Sequence, residues 1–178
     1  MRLIREIHYK PNLPLHGRVF HREAARGIIR QDGKFLLIHS PVDGDYKFPG
    51  GGLQPGEQPR TALLRELREE CGAELIEISA DYGMIIEYDL AQEDDCDLFR
   101  MESYYYLCKI DPNKPFLPQK LDAYELALGI HPVWMRLEEA LAANRAVAAS
   151  KSRVPPRWVQ REIVAMGDML QNLKSLPD

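Results

Sequence analysis

Gly51-Gly52-Leu53-Gln54-Pro55-Gly56-Glu57, followed after a short apolar stretch by Arg65-Glu66-Leu67-Arg68-Glu69-Glu70-Cys71-Gly72, organises the reading of this chain. The second part is helical in pattern. Residues 58–71 place Ala62, Leu63, Leu64 and Leu67 at helical spacing. Pro59 suits a first turn, where its missing N–H costs nothing, and Gly72 suits the position just past a helix end, where φ turns positive. Residues three and four apart are neighbours on a helix, so Glu66, Glu69 and Glu70 converge on one patch. Carboxylates that close repel one another unless cations lie between them. Oxygen donors suit hard cations such as Mg²⁺ or Mn²⁺. No His or Cys joins the patch in sequence, which argues against zinc.

The flanking residues add to this picture. Glu57 and Arg65 bracket the helix and can pair, fixing the loop against it. The run Pro49-Gly50-Gly51-Gly52 lets the backbone turn sharply and approach a ligand. A carbonyl there can complete a metal's oxygen shell. Glutamate pairs on helices are commonly a solvated face, and glycine-rich loops are commonly only turns. Here the loop, the outlying acid, the Arg-Glu pair, the Glu-Glu pair and the terminal glycine fall together in order.

In that order they resemble the Nudix box, written G, five residues, E, seven residues, R-E-U-x-E-E-x-G-U, where U is a bulky aliphatic residue. Gly51, Glu57, Arg65, Glu66, Leu67, Glu69, Glu70 and Gly72 occupy its fixed positions, and Ala73 stands where a larger aliphatic is usual. Strand and helix signals extend the similarity to roughly residues 20–145. The resemblance implies an α+β protein with the Nudix fold, an α/β/α sandwich on a mixed β-sheet. It also implies divalent-metal-dependent hydrolysis of a diphosphate bond in a nucleoside diphosphate linked to another group X. By position, Glu69 and Glu70 are metal ligands, Glu66 a further ligand or the general base, and the Gly50 carbonyl a further ligand. Gly51, Glu57 and Arg65 are supporting residues. The implied cofactor is Mg²⁺, with Mn²⁺ as an alternative. Glu69→Gln or Glu70→Gln is expected to abolish hydrolysis and leave the fold intact.

Relatives often use a further acid from a loop ahead of a strand carrying Trp. Ahead of Val133-Trp134, Glu125 matches best and Asp122 second; Glu102, on a strand, has no motif behind it. Tyr46, Phe48 and Phe20 lie near the box as stacking candidates, but none is assigned to the base. Arg22 and Arg26 can reach phosphate, although strand alternation leaves them facing solvent. The proline that marks ADP-ribose-cleaving relatives is missing, and Tyr88 leans toward dinucleoside polyphosphate substrates. The Arg-containing motif of the coenzyme A subgroup is absent from residues 37–41.

The rest of the chain bounds the function. With 178 residues, 45% hydrophobic and 28% charged, it reads as one globular domain with a real core. A net charge of −4 argues against a general polyanion binder, so the expected partner is a small nucleoside diphosphate derivative and not a nucleic acid polymer. Three cysteines without a C-x-x-C pair, and no secretory h-region or transmembrane run, point to a reducing, cytoplasmic setting away from membranes. Residues 1–20 read as an arm and 21–145 as the domain. Residues 146–178 read as a linker plus a C-terminal amphipathic helix packing on the same domain. Strands are expected at 24–29, 35–39, 75–79, 82–88, 101–110 and 131–135, with a tight turn at Asp32-Gly33 and a loop over 40–50, and helices at 137–143 and 157–173. The acidic run 93–97 reads as a solvated loop. The arm and last helix are segments a homodimer can use. A non-catalytic Nudix-like module that binds nucleotide and regulates a partner is the alternative function; such modules tend to lose box acids, and this chain keeps them.

Overall fold

The computed structural model describes residues 1–151 and 154–172. β1 (Leu3–His8), β2 (Val19–Gln31), β3 (Lys34–Ser40) and β4 (Asp45–Lys47) come first. α1 (Pro59–Glu66) then runs into a π-helical turn at Leu67–Cys71. β5 (Leu75–Leu90), β6 (Leu98–Ile110), α2 (Ala123–Leu128), β7 (His131–Met135), α3 (Leu137–Ala149) and α4 (Arg157–Asn172) complete the order.

The sheet is mixed, in the order β1-β5-β6-β2-β3-β4, with β7 added on β3. β1 runs parallel to β5 and β2 parallel to β6, while the remaining pairs are antiparallel. The β2–β3 hairpin turns on Asp32 (φ 50°) and Gly33 (φ 72°). Two left-handed residues in succession give the tight turn that the Asp-Gly pair predicts. β2 and β3 then pair only at Arg30–Phe35 and Gln31–Lys34. Beyond that point the strands part, and the glycine loop fills the split. The Ala25 and Gly27 amides donate to the Gly51 and Pro49 carbonyls at 3.0 and 2.8 Å, and the Leu53 amide donates to the Glu23 carbonyl at 2.9 Å. The loop is thereby fastened to a central strand.

Alternation along β2 sends its two faces into different cores. Ala25 and Ile29 pack with Ala62, Leu63 and Leu67 of the box helix. Ile28 packs with Phe48, Ile85, Leu137, Met166 and Met169 under α3 and α4. Helices therefore cover both faces, giving the α+β sandwich expected from the sequence.

Several elements differ from the sequence reading. Leu3–His8 is a strand at the sheet edge, within the stretch read as an arm; only Ile4 and Ile7 turn inward, so its apolar pattern is too sparse to recognise. Residues 75–90 form one strand, with register irregularities where two were expected. α3 continues to Ala149, past the expected boundary at 146, because Ala142, Ala143, Ala146, Ala148 and Ala149 sustain helix without an apolar stripe. β4 lies in what reads as loop, and α2 carries the acid assigned to a loop. Position 173, the expected end of the last helix, lies outside the described residues. No helix among the described residues is long and apolar enough to cross a membrane.

Candidate active site

Two glycines allow the box loop to meet its helix. Gly50 has φ +132°, and a side chain there would run into the Ala25 carbonyl. At Gly51 a Cβ would lie 2.5 Å from the Glu66 carboxylate. Only hydrogen at both positions permits this approach. The helix then loosens into its π turn, a feature that often marks functional sites. Leu67 and Cys71 stay buried there while Glu70 also turns inward, 1% exposed.

The acids are held by cations and backbone N–H groups. Lys47 Nζ and the Gly50 amide each donate to Glu70, both at 2.7 Å. Arg65 is a hub. Its Nη1 donates to Glu66 at 2.6 Å and to Glu69 at 3.2 Å. Its Nε and Nη2 clamp Glu57 at 3.1 and 2.9 Å, and Nη2 also donates to the Gly52 carbonyl at 3.1 Å. The Glu57–Arg65 pair thus ties loop to helix. Arg65 hydrogen bonding holds the Glu57 carboxyl below its ordinary range, and the Arg65 guanidinium is held above its own, chiefly by Glu57. Burial pushes the Glu66 carboxyl up; Arg65 opposes this, while Glu70 and Glu69 add to it.

These groups border one cavity, where Glu66, Glu69, Glu70, Glu125 and Asp122 meet the Gly50 edge of the loop. Asp122 and Glu125 arrive together because they form a capping box at the start of α2. The Glu125 amide donates to Asp122 at 2.8 Å, and the Asp122 amide donates to Glu125 at 3.0 Å. Burial raises the Glu125 carboxyl, and the charge of Glu70 contributes further. Glu102 is placed elsewhere, bonded to Arg100 and Tyr104 at 2.5 Å each.

Among the described residues, no three His, Cys, Asp or Glu side chains are gathered closely enough to hold a metal. Arg65 and Lys47 draw the carboxylates toward themselves. The donors around the cavity nevertheless fit a hard divalent cation. They are carboxylate and carbonyl oxygens without sulfur or imidazole, and the charges of Glu70 and Glu69, which add to the effect of burial on Glu66, are ones a cation relieves.

A second cavity of about 280 Å³ adjoins the first. Arg26 and Lys47 border both. The Arg26 Nη1 donates to the Gly50 carbonyl at 2.5 Å, while its Nε is buried without a hydrogen-bond partner. Alternation does not leave Arg26 in solvent. It points toward the face covered by α4 and is only 6% exposed, whereas Arg22 is exposed. α4 supplies one wall through Arg157, Trp158 and Arg161. Arg161 pairs with Glu87 at 3.1 Å and with Glu162 at 3.0 Å, and Glu162 accepts from the Phe48 amide at 3.1 Å. The last helix thus reaches the backbone just ahead of the glycine loop.

Sequence reading assigned α4 to packing and missed these residues. The signal in the sequence is Glu162, three residues after Val159 and four before Met166, a charge within the apolar stripe; in the structure Arg161 and Glu162 are both buried, which requires partners. The aromatic candidates are accounted for differently. Phe48 packs edge-on against Tyr105 at 5.9 Å, Tyr46 stacks on His39 at 4.5 Å, and Phe20 meets Phe99 at 6.3 Å. Tyr88 stacks on His8 at 4.8 Å. It alternates with Glu87, which borders the second cavity, and so sits on the opposite sheet face.

A family model for the NUDIX domain matches residues 20–157. This chain belongs to the Nudix family. The RNA pyrophosphohydrolase of a Nitratiruptor species is 36% identical to it over 81 residues, 44% of this chain and 52% of that protein. The chain therefore spans about half the length of that relative. The RNA pyrophosphohydrolase of one Helicobacter pylori strain is 34% identical over 132 residues, 74% of this chain and 79% of that protein. A solved NUDIX hydrolase from Nitrosomonas europaea shares the fold, with a TM-score of 0.56 and 22% identity over 89% of this chain and 97% of that one. The Nudix match ends where α4 begins, so Trp158 and Arg161 lie beyond it.

Proposed function

We propose that this Nudix protein hydrolyses a phosphoanhydride bond in a nucleoside diphosphate linked to another group X, using Mg²⁺ or Mn²⁺. The observation that carries this reading is the sharing of Arg26 and Lys47 between the acid-lined cavity and the cavity walled by α4. Phosphates lying between the two meet these cations, with Asp122 and Glu125 also at the junction, Glu66, Glu69 and Glu70 on one side and room for a nucleoside on the other.

Glu66, Glu69, Glu70 and the Gly50 carbonyl are the residues that would hold the metal. A bound divalent ion neutralises phosphate charge and acidifies water. The chain's own groups do the remaining work. Glu57 and Arg65 lock the loop to the helix. Arg26 and Lys47 bind phosphate oxygens. Glu66 and Glu125, both with raised carboxyl values, are the candidates to accept a proton from attacking water. The three free thiols support a reducing, cytoplasmic setting.

A second reading of X comes from the relatives. Their name, RNA pyrophosphohydrolase, makes a 5′-triphosphorylated RNA end a substrate to set beside small nucleotides. The test is a screen with Mg²⁺ and with Mn²⁺ across ADP-ribose, sugar nucleotides, dinucleoside polyphosphates, oxidised nucleoside triphosphates and 5′-triphosphorylated RNA. Turnover of at least one class is expected. Tight binding with no turnover of any would replace the hydrolase with a regulatory nucleotide-binding module.

A further inference from the structure

The wall of the second cavity contains an acid that the phosphate chemistry does not use. Asp45 opens β4, borders the cavity and is 1% exposed. One carboxylate oxygen, Oδ2, accepts from the Trp158 indole Nε1–H at 2.5 Å. The other, Oδ1, is buried and has no hydrogen-bond partner. Buried acceptors without partners are rare in native proteins and call for an explanation. Burial pushes the Asp45 carboxyl up; Trp158 counters this, and the charges of Asp43 and Glu162 add to the effect of burial.

The surroundings identify what can satisfy it. Asp45 and Lys47 are two apart on β4 and share a face. Lys47 lies where the two cavities join, so a ligand with phosphate at Lys47 extends along the strand toward Asp45. In the same cavity Leu128, Ile130, Tyr124 and Trp158 provide apolar and aromatic wall. Apolar and aromatic wall beside a buried acceptor without a partner suits a heteroaromatic ring that carries N–H at its edge.

We propose that Asp45 is a specificity-determining residue whose Oδ1 accepts a hydrogen bond from an exocyclic amino N–H of the substrate's purine base, with Trp158 fixing the carboxylate's orientation. The proposal rests on the reading of the site as one for nucleotides. Trp158 matters because an indole N–H only donates, so an oxygen must always face it. In Asp45→Asn the amide oxygen takes that place and the NH₂ turns to the substrate. The variant therefore presents a donor where the wild-type chain presents an acceptor.

The experiment is calorimetric titration of the full chain, with Mg²⁺, against α,β-methylene 5′-diphosphates in matched pairs. Adenosine is set against purine riboside, which lacks the 6-amino group, and guanosine against inosine, which lacks the 2-amino group. A 2′-deoxyadenosine probe reports on the ribose. Removing the amino group is expected to weaken binding about 10- to 100-fold in at least one pair, the worth of one hydrogen bond to a charged acceptor. Asp45→Asn is expected to erase or invert that difference.

Affinities equal within about 2-fold in both wild-type pairs, no binding of any probe, or a loss confined to the 2′-deoxy probe would overturn the proposal, and none of these depends on the variant folding. Turnover of the hydrolysable counterparts is read separately. Discrimination in binding without turnover would keep Asp45 in its role and remove the hydrolase reading. Turnover with equal affinities would do the reverse.

Discussion

Glu70→Gln and Glu69→Gln should damage the same chemistry while differing in what they do to the fold. Glu70 is buried and holds two charge-assisted hydrogen bonds, from Lys47 and from the Gly50 amide. A glutamine keeps an acceptor for Gly50 but turns its NH₂ toward the Lys47 ammonium. A hydrogen bond to a charged group is worth about 1.5–3 kcal/mol. The Lys47 side chain is 22% exposed and can recover some hydration, so the expected loss is about 2–3 kcal/mol. In a domain of this size that lowers Tm by roughly 5–10 °C. Glu69 is 37% exposed and makes one 3.2 Å contact with Arg65. Its replacement should cost about 0–1 kcal/mol and shift Tm by no more than about 3 °C. Hydrolysis should fall at least about 100-fold in both. Thermal melts by circular dichroism and steady-state kinetics on the same preparations measure the two effects. A Glu70→Gln variant melting with the wild-type protein, or a Glu69→Gln variant turning over at the wild-type rate, would refute the reasoning.

Other outcomes follow from the same geometry. Gly51→Ala places a methyl 2.5 Å from the Glu66 carboxylate, which can swing away, so turnover should drop at least about 10-fold with stability held within about 1 kcal/mol, checked by kinetics and urea melts. Glu125→Gln should slow turnover with little change in nucleotide affinity; an unchanged kcat would move the second acid elsewhere. Asp168 binds Arg2 at 2.6 Å and Tyr82 at 2.6 Å, fastening α4 to β5 and to the residue just ahead of β1. Burial pushes its carboxyl up, but the hydrogen bonds from Arg2 and Tyr82 outweigh that and hold it below the ordinary value. A folded value below the unfolded one contributes stability above the unfolded pKa of about 3.9 and loses it as pH falls through the folded value. Urea midpoints should therefore fall below about pH 4, and Asp168→Asn should flatten that part of the profile.

Much of this structure was legible because local chemistry and global fold agree where the box lies. Gly72 ends its helix in a left-handed conformation, φ 65°, as its place in the sequence requires. Asp32-Gly33 makes the hairpin, and His131–Met135 is a strand with the expected bounds. What escaped depends on contacts between distant parts of the chain. The π turn has no sequence period of its own. Asp45 reads as a loop acid until β3 pairs with it and Trp158 closes over it. Arg26 reads as solvent-facing until α4 covers its side of the sheet. Spacing placed the box acids and Arg65 on one helix, with Glu57 in reach of Arg65, but not Lys47, which meets Glu70 from β4 only once the chain has folded.

The central claim is that the box acids, joined through Arg26 and Lys47 to the cavity under α4, form a centre that breaks phosphoanhydride bonds. ³¹P nuclear magnetic resonance, following a mixture of nucleoside 5′-polyphosphates with Mg²⁺, tests it most directly. With the wild-type chain the account predicts loss of anhydride signals and growth of phosphomonoester or orthophosphate signals, with neither change in Glu69→Gln. Persistent anhydride signals with the wild-type chain under both Mg²⁺ and Mn²⁺, or equal turnover by the Glu69→Gln variant, would contradict it.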